Sequence, residues 1–86
     1  MPKQVIKRGG KKETFRAEKI RRSIKAAARD AKLPPTRAKR VAGKVSSAVL
    51  RSVRKQKAVQ TAVLRKRILS QLSKLEPVAA KMWRKY

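Results

Sequence analysis

The side chains of this chain that could do chemistry are almost all cationic. Lys and Arg account for 27 of the 86 residues, His is absent, and the formal net charge at pH 7 is +23. The acidic side chains are only Glu13, Glu18, Asp30 and Glu76. Because ammonium and guanidinium groups form charge-assisted hydrogen bonds with phosphate oxygens, this composition favours the binding of a polyanion, and nucleic acid is the commonest one.

The same composition lacks the groups that most catalytic and metal sites need. Cys and His are both absent, which excludes a Cys/His zinc site and nucleophilic catalysis by a thiolate. The four acidic residues are scattered along the chain, so no pair of carboxylates is spaced for acid–base catalysis. We therefore predict no catalytic residue, no metal site and no enzymatic activity.

Apolar residues recur at helical spacing, which predicts that the cations lie on folded helices. Ile20, Ile24 and Ala27 share one face of a predicted helix over residues 16–32, which the following pair of prolines ends. Thr36 is a plausible N-cap for a second helix over residues 36–54, whose apolar stripe contains Val41, Val45, Val49 and Val53. A third helix over residues 61–75, with Thr61 as its cap, carries Leu64, Ile68, Leu72 and Leu75, and Pro77 begins a last helix over residues 77–86.

The N-terminal segment predicts a β-hairpin over residues 4–15. Gly9 and Gly10 lie between its two strands, and such a pair adopts the positive φ angles of a tight two-residue turn. A third short strand is predicted near residues 58–60. Because two strands alone are only marginally stable, the hairpin must pack on the helices. We therefore expect one α/β domain of the α+β type over residues 1–86, with a short sheet on three to four helices.

The helix faces opposite the apolar stripes are basic. Nearly every exposed charge has the same sign, which solubility alone does not require and mutual repulsion disfavours. We therefore predict a DNA-binding protein of the nucleoid-associated or architectural type, which contacts phosphates with little sequence preference. The candidate contacts lie on the first two helices and are Lys25, Arg29, Arg37, Arg40, Lys44, Arg51 and Arg54.

Binding to ribosomal or other structured RNA is an alternative that fits the charge equally well. RNA loops often stack on exposed aromatic side chains, and only Trp83 and Tyr86 are candidates for this role. Duplex DNA is therefore the favoured partner, and comparing DNA with structured RNA at matched salt separates the two hypotheses.

Other properties of the sequence concern its location and assembly. No apolar run approaches the roughly 20 residues that span a bilayer, and the N-terminus has no hydrophobic signal region. We therefore expect no membrane partner and a cytoplasmic location, at the nucleoid. The Val-rich stripe of the second helix could serve a homo-oligomeric interface.

The first part of the chain carries a pattern known from one protein family. Residues 5–24 read VIKRGGKKETFRAEKIRRSI. This stretch resembles the start of the ATP-cone domain, the nucleotide-sensing module of ribonucleotide reductases and of their transcriptional repressor. The family has a V-x-K-R strand, a turn with Gly, a second strand ending in an apolar residue, and a helix containing Lys-Ile. The matching positions are Val5, Lys7, Arg8, Gly10, Glu13, Phe15, Lys19 and Ile20.

The resemblance implies a small α/β fold and a pocket for ATP or dATP. Residues that match Val5, Lys7, Arg8, Glu13, Lys19 and Ile20 line that pocket in the family. By this resemblance Lys7, Arg8 and Lys19 neutralise phosphates. Val5 and Ile20 sandwich the base, and Glu13 accepts hydrogen bonds from the base or the sugar.

The chain also departs from the family pattern. Gly9 replaces the usual Asp or Asn of the turn, and Arg16 stands where a short polar residue is common. ATP-cone domains are ordinarily less cationic, and they usually serve an attached catalytic or zinc-binding domain. The resemblance therefore adds a further hypothesis, a stand-alone regulatory domain that binds ATP or dATP. Nucleotide could also modulate the binding of DNA.

Overall fold

Seven elements follow one another along residues 2–85, the part of the chain that the computed structural model describes. The strands are β1 (Gln4–Ile6), β2 (Lys12–Thr14) and β3 (Ala58–Gln60). The helices are α1 (Ala17–Asp30), α2 (Pro35–Val53), α3 (Thr61–Leu75) and α4 (Pro77–Trp83). This architecture confirms the predicted α+β fold class, including the third strand. The last helix is shorter than the predicted range of residues 77–86, because it ends at Trp83 with Arg84 as its C-cap. Tyr86 itself lies outside the described residues.

The sheet has the order β2-β1-β3, with β1 in the centre. β1 pairs antiparallel with β2, where Val5 lies opposite Glu13, and parallel with β3, where Val5 lies opposite Val59. Because directly paired residues point to the same face of a sheet, these three side chains share one face. Val59 is buried in the core and Val5 packs against it. The parallel pairing needs a long crossover, which α1 and α2 supply.

The hairpin turn differs from the predicted two-residue turn. The NH of Gly10 donates to the carbonyl of Lys7 at 2.9 Å, and the NH of Lys7 donates to the carbonyl of Lys11 at 2.7 Å. The central residues of the turn are therefore Arg8 and Gly9, and Gly10 is an additional loop residue. Both glycines have positive φ angles, 88° and 87°, which is the conformation that glycine adopts at little cost.

The four helices form a ring in which α1 packs on α2 and α4, and α3 packs on the same two helices. Their apolar stripes meet in a core built mainly from aliphatic side chains, as the shortage of aromatic residues requires. Its fully buried members include Ile24, Val45, Val49, Val53 and Leu72. The valine stripe of α2 lies inside this core, so the suggestion that it serves a homo-oligomeric interface is wrong. Homo-oligomer formation through another surface stays a prediction.

The N-caps of two helices differ from the prediction because a proline and a strand boundary decide them. α2 begins one residue earlier, with Pro35 in its first turn and Pro34 at the N-cap, since proline is well suited to the first helical position. α3 follows β3 directly, so Gln60 is its N-cap and Thr61 its first residue. Neither helix has a side-chain cap, and the assignments of Thr36 and Thr61 as N-caps are therefore wrong.

α1 ends at Asp30, slightly before the predicted residue 32. Lys32 has a φ of 64°, and its NH donates to the carbonyl of Arg29 at 2.8 Å. The NH of Leu33 reaches the carbonyl of Ala28 at 3.0 Å. This pair of hydrogen bonds is a Schellman motif, which satisfies the last carbonyls of the helix before the prolines. Among the residues described, no helix is both long and apolar enough to cross a membrane.

Gly43 offers a test of the packing around α2. A Cβ atom added at this position has no heavy atom within 4 Å, and glycine inside a helix costs roughly 0.5–1 kcal/mol relative to alanine. We therefore expect Gly43→Ala to raise the free energy of unfolding by about this amount in urea denaturation. Gly10→Ala is the opposite control, because its positive φ angle penalises a side chain. A destabilised Gly43→Ala variant would contradict the open space beside α2.

Candidate functional site

One cleft lies between the hairpin loop and the start of α3, and we call it the glycine-loop cleft. It encloses about 630 Å³, which is in the size range of small-molecule sites. Three cationic side chains and no acidic one line it, so its chemistry suits an anionic group. The lining residues are Ile6, Lys7, Arg8, Gly9, Gly10, Gln60, Thr61, Ala62 and Arg65.

The start of α3 contributes further hydrogen-bond donors to this cleft. The first backbone NH groups of a helix have no acceptor within it, and the helix dipole favours an anion there. Thr61 is the first residue of this 15-residue helix. Its Oγ1 is buried without a hydrogen-bond partner among the described atoms. Since an unsatisfied buried hydroxyl is costly, a local rearrangement that lets a ligand bond to it recovers that energy.

Arg65 lines the glycine-loop cleft and also takes part in the contacts between α3, α4 and α1. Its guanidinium lies 4.5 Å from the centroid of the Trp83 ring on α4, which is a cation–π distance. The indole NH of Trp83 donates to Ser23 Oγ on α1 at 3.0 Å. A ligand that draws Arg65 away from Trp83 therefore changes a contact on which α1, α3 and α4 converge.

A second cleft lies between β2 and the start of α1, and we call it the β2–α1 cleft. It encloses about 880 Å³. Unlike the glycine-loop cleft it contains two carboxylates, so it can accept hydrogen bonds as well as donate them. The lining residues are Lys12, Glu13, Thr14, Arg16, Ala17, Glu18, Lys19 and Arg22.

An ion pair joins the linings of the two clefts. Lys7 Nζ, in the glycine-loop cleft, lies 3.1 Å from Glu13 Oε1, in the β2–α1 cleft. The hydrogen bond from Lys7 lowers the pKa of Glu13, and the positive charges of Lys7, Lys19 and Lys11 act in the same direction. Glu13 is therefore an anion at neutral pH and acts as a hydrogen-bond acceptor.

The structure distributes the six residues that were expected to line a nucleotide pocket over both clefts and the core. Lys7 and Arg8 line the glycine-loop cleft, and Glu13 and Lys19 line the β2–α1 cleft. Ile20 is buried in the core and Val5 packs partly buried against it. In this conformation Ile20 offers almost no surface to a base, and a sandwich by Val5 and Ile20 stays a prediction.

The seven residues expected to contact nucleic acid all lie on exposed helix faces. Lys25 and Arg29 are exposed on α1. The others form what we call the α2 basic stripe, which consists of Arg37, Arg40, Lys44, Arg51 and Arg54, the last being the C-cap of α2. Arg37 differs from the others because it forms an ion pair with Glu76, which is largely buried.

Sequence reasoning missed Thr61 and Arg65 as cleft residues. Their spacing of four residues puts them on one side of a helix, but this spacing alone does not indicate a site. Thr61 was instead interpreted as a helix cap. Without the pairing of β3 beside β1, nothing in the sequence brings the start of α3 next to the glycine loop. Residues 2–85 contain no group of three or more acidic side chains that could hold a metal ion.

Comparison with known proteins gives one family match. The family model of the ATP cone domain matches residues 3–84, which is nearly the whole chain. A search of curated proteins finds no significant match. The ATP-cone is a regulatory, non-catalytic domain that binds ATP or dATP as an effector. The match over residues 3–84, together with a hairpin and four helices in the expected order, means that the chain belongs to the ATP-cone family.

Proposed function

We propose that this chain is a regulatory domain that binds ATP or dATP at the two adjoining clefts. The observation that carries the proposal is the position of Lys7 and Arg8 across the glycine-loop cleft from Thr61 and Arg65. Three cations, a buried hydroxyl without a partner and a helix N-terminus converge there. This combination of donors suits a polyphosphate.

The difference in charge between the clefts suggests how the nucleotide is oriented. The phosphates occupy the glycine-loop cleft, because no carboxylate lines it and repels them. The ribose and base extend toward the β2–α1 cleft, where Glu13 accepts hydrogen bonds from hydroxyl or amino groups and Lys19 donates them. Lys7 lies at the junction of the clefts and is shared between Glu13 and the phosphates.

Trp83 provides a direct measurement of nucleotide binding. It is the single tryptophan of the chain, and the guanidinium above its ring belongs to a residue of the glycine-loop cleft. Phosphates that attract Arg65 weaken this cation–π contact, so we expect ATP and dATP to change the fluorescence of Trp83 and to saturate the change. The titration is made at about 150 mM salt, where the Debye length of about 8 Å screens unspecific attraction.

Inorganic tripolyphosphate is the matched control, because it carries phosphates without a base or a sugar. We expect it to bind more weakly than ATP, since it makes no contact with Glu13 or Lys19. Calorimetry measures both affinities independently of the fluorescence. Equal affinity for the two compounds, or the absence of saturable binding by ATP, would refute the proposed function.

A further inference from the structure

Five basic residues outside the two clefts form the α2 basic stripe. We propose that this stripe, supported by Lys25 and Arg29 of α1, binds the phosphate backbone of duplex DNA. The proposal does not rest on nucleotide binding, since no residue of the stripe lines the glycine-loop cleft or the β2–α1 cleft.

The stripe faces away from the core along most of the length of α2. Arg40, Lys44 and Arg51 are separated by four and seven residues, which at 3.6 residues per turn puts them on one side. The opposite side holds Val45 and Val49, which are fully buried. At 1.5 Å per residue the stripe is about 25 Å long. A cationic helix face of this length can lie along the phosphates that border the major groove of B-DNA, which is about 12 Å wide.

Very little of this positive charge is neutralised within the protein. No acidic residue occurs between Asp30 and Glu76. The ion pair between Glu76 and Arg37 is the one salt bridge of the stripe among the described residues. The first turn of α2 contains no acid and has no side-chain cap, although the helix dipole favours negative charge there. Phosphates beside α2 would relieve this repulsion.

The N-terminal half of the stripe also lines a cleft that could receive a phosphate. This cleft of about 510 Å³ lies between the start of α2 and the junction of α3 and α4. Arg37, Arg40 and Lys44 lie on its α2 side, and Leu75 and Glu76 on the other side. The arrangement offers a concave, cationic surface instead of isolated charges on a flat one.

The position of the aromatic side chains favours duplex DNA over RNA loops. Unpaired bases are bound by stacking on exposed aromatic rings. Phe15 and Trp83 have relative exposures of only 9% and 4%, so within residues 2–85 no aromatic side chain forms a stacking surface. Tyr86, the other candidate for stacking, lies outside the described residues. Phosphate contacts along a duplex need no aromatic residue.

The test compares two variants that lose the same charge. Arg40→Gln/Lys44→Gln/Arg51→Gln removes the centre of the stripe, and Arg67→Gln/Lys74→Gln/Lys81→Gln removes three exposed cations of α3 and α4. Fluorescence anisotropy with a random-sequence DNA duplex is measured between roughly 50 and 200 mM salt. The slope of log K against log salt is negative, and each lost phosphate contact makes it shallower by about 0.9. We therefore expect the slope of the stripe variant to be shallower by about 2.7 and its affinity for the duplex to be roughly 100-fold or more lower.

The control variant should lose little in slope or affinity. A thermal unfolding curve verifies that both variants are folded, which we expect because the substitutions remove repulsion at exposed positions. Equal losses in the two variants would overturn the proposal, because the attraction would then depend on net charge and not on the stripe. Tighter binding to a structured RNA hairpin than to the duplex, or no binding to the duplex, would also overturn it.

Discussion

Replacing Lys7 and Arg8 together by glutamine is expected to weaken ATP binding by about 100-fold or more. Both side chains line the glycine-loop cleft, and each hydrogen bond between charged groups contributes roughly 1.5–3 kcal/mol. Glutamine keeps polarity and approximate size, so the loss measures the charge. Calorimetry at about 150 mM salt gives the affinities of the natural chain and of the variant under conditions that limit unspecific attraction.

The dependence on phosphate number separates a phosphate site from a general effect of charge. The loss should be largest for ATP, smaller for ADP and smallest for AMP, because fewer phosphates remain near the missing cations. Lys74→Gln/Lys81→Gln is the matched control, since both residues are exposed and neither lines the cleft. If the control variant loses as much affinity as Lys7→Gln/Arg8→Gln, the glycine-loop cleft is not where the phosphates bind.

The glycine-loop cleft also suggests how the proposed binding of a nucleotide is communicated to the helices. Arg65 lines the glycine-loop cleft and stacks on Trp83, whose indole donates a hydrogen bond to Ser23. A ligand shifts a conformational equilibrium only through a difference in its contacts between two states. Competition between phosphate and the indole ring for one guanidinium supplies such a difference, and it reaches the packing of α4 on α1.

The fold class could be predicted from the sequence because local patterns determine its elements. Ile20, Ile24 and Ala27 recur at helical spacing, and all three are buried on α1. The paired glycines indicated a hairpin, and Pro77 indicated a helix start, which α4 has. Each of these signals involves residues within about one or two helical turns of each other in the sequence, where local sterics and periodicity determine the structure directly.

The parts that could not be predicted depend on contacts between distant segments. The pairing of β3 with β1 brings Thr61 and Arg65 beside the glycine loop, and periodicity contains no information about that pairing. The N-caps of α2 and α3 are mispredicted for different reasons. Pro35 directly precedes Thr36 and takes the first helical position through a local preference, whereas β3 decides the start of α3. Composition likewise indicates a polyanion partner but not the surface that contacts it.

Leu72 and Leu75 are a matched pair of leucines that tests where the hydrophobic core ends along α3. Both belong to one predicted apolar stripe, yet Leu72 is fully buried and Leu75 is 42% exposed. Leu72→Ala is therefore expected to lower the free energy of unfolding by about 2–5 kcal/mol, the range for a buried leucine that leaves a cavity. Leu75→Ala should cost less than about 1 kcal/mol. Urea denaturation at constant salt measures both values.

The comparison isolates the effect of burial, because most other contributions to the change in the free energy of unfolding are the same in the two variants. The two residues lie on the same helix and undergo the same substitution, so the change in helix propensity is nearly equal. What differs is the apolar surface removed from water and the cavity left behind. A domain of this size is stabilised by only about 5–10 kcal/mol, so Leu72→Ala removes a large share of the total. Similar losses in both variants would mean that the end of α3 packs against the core through Leu75 as well. In that case the cleft between α2 and the α3–α4 junction, which Leu75 lines, would be closed.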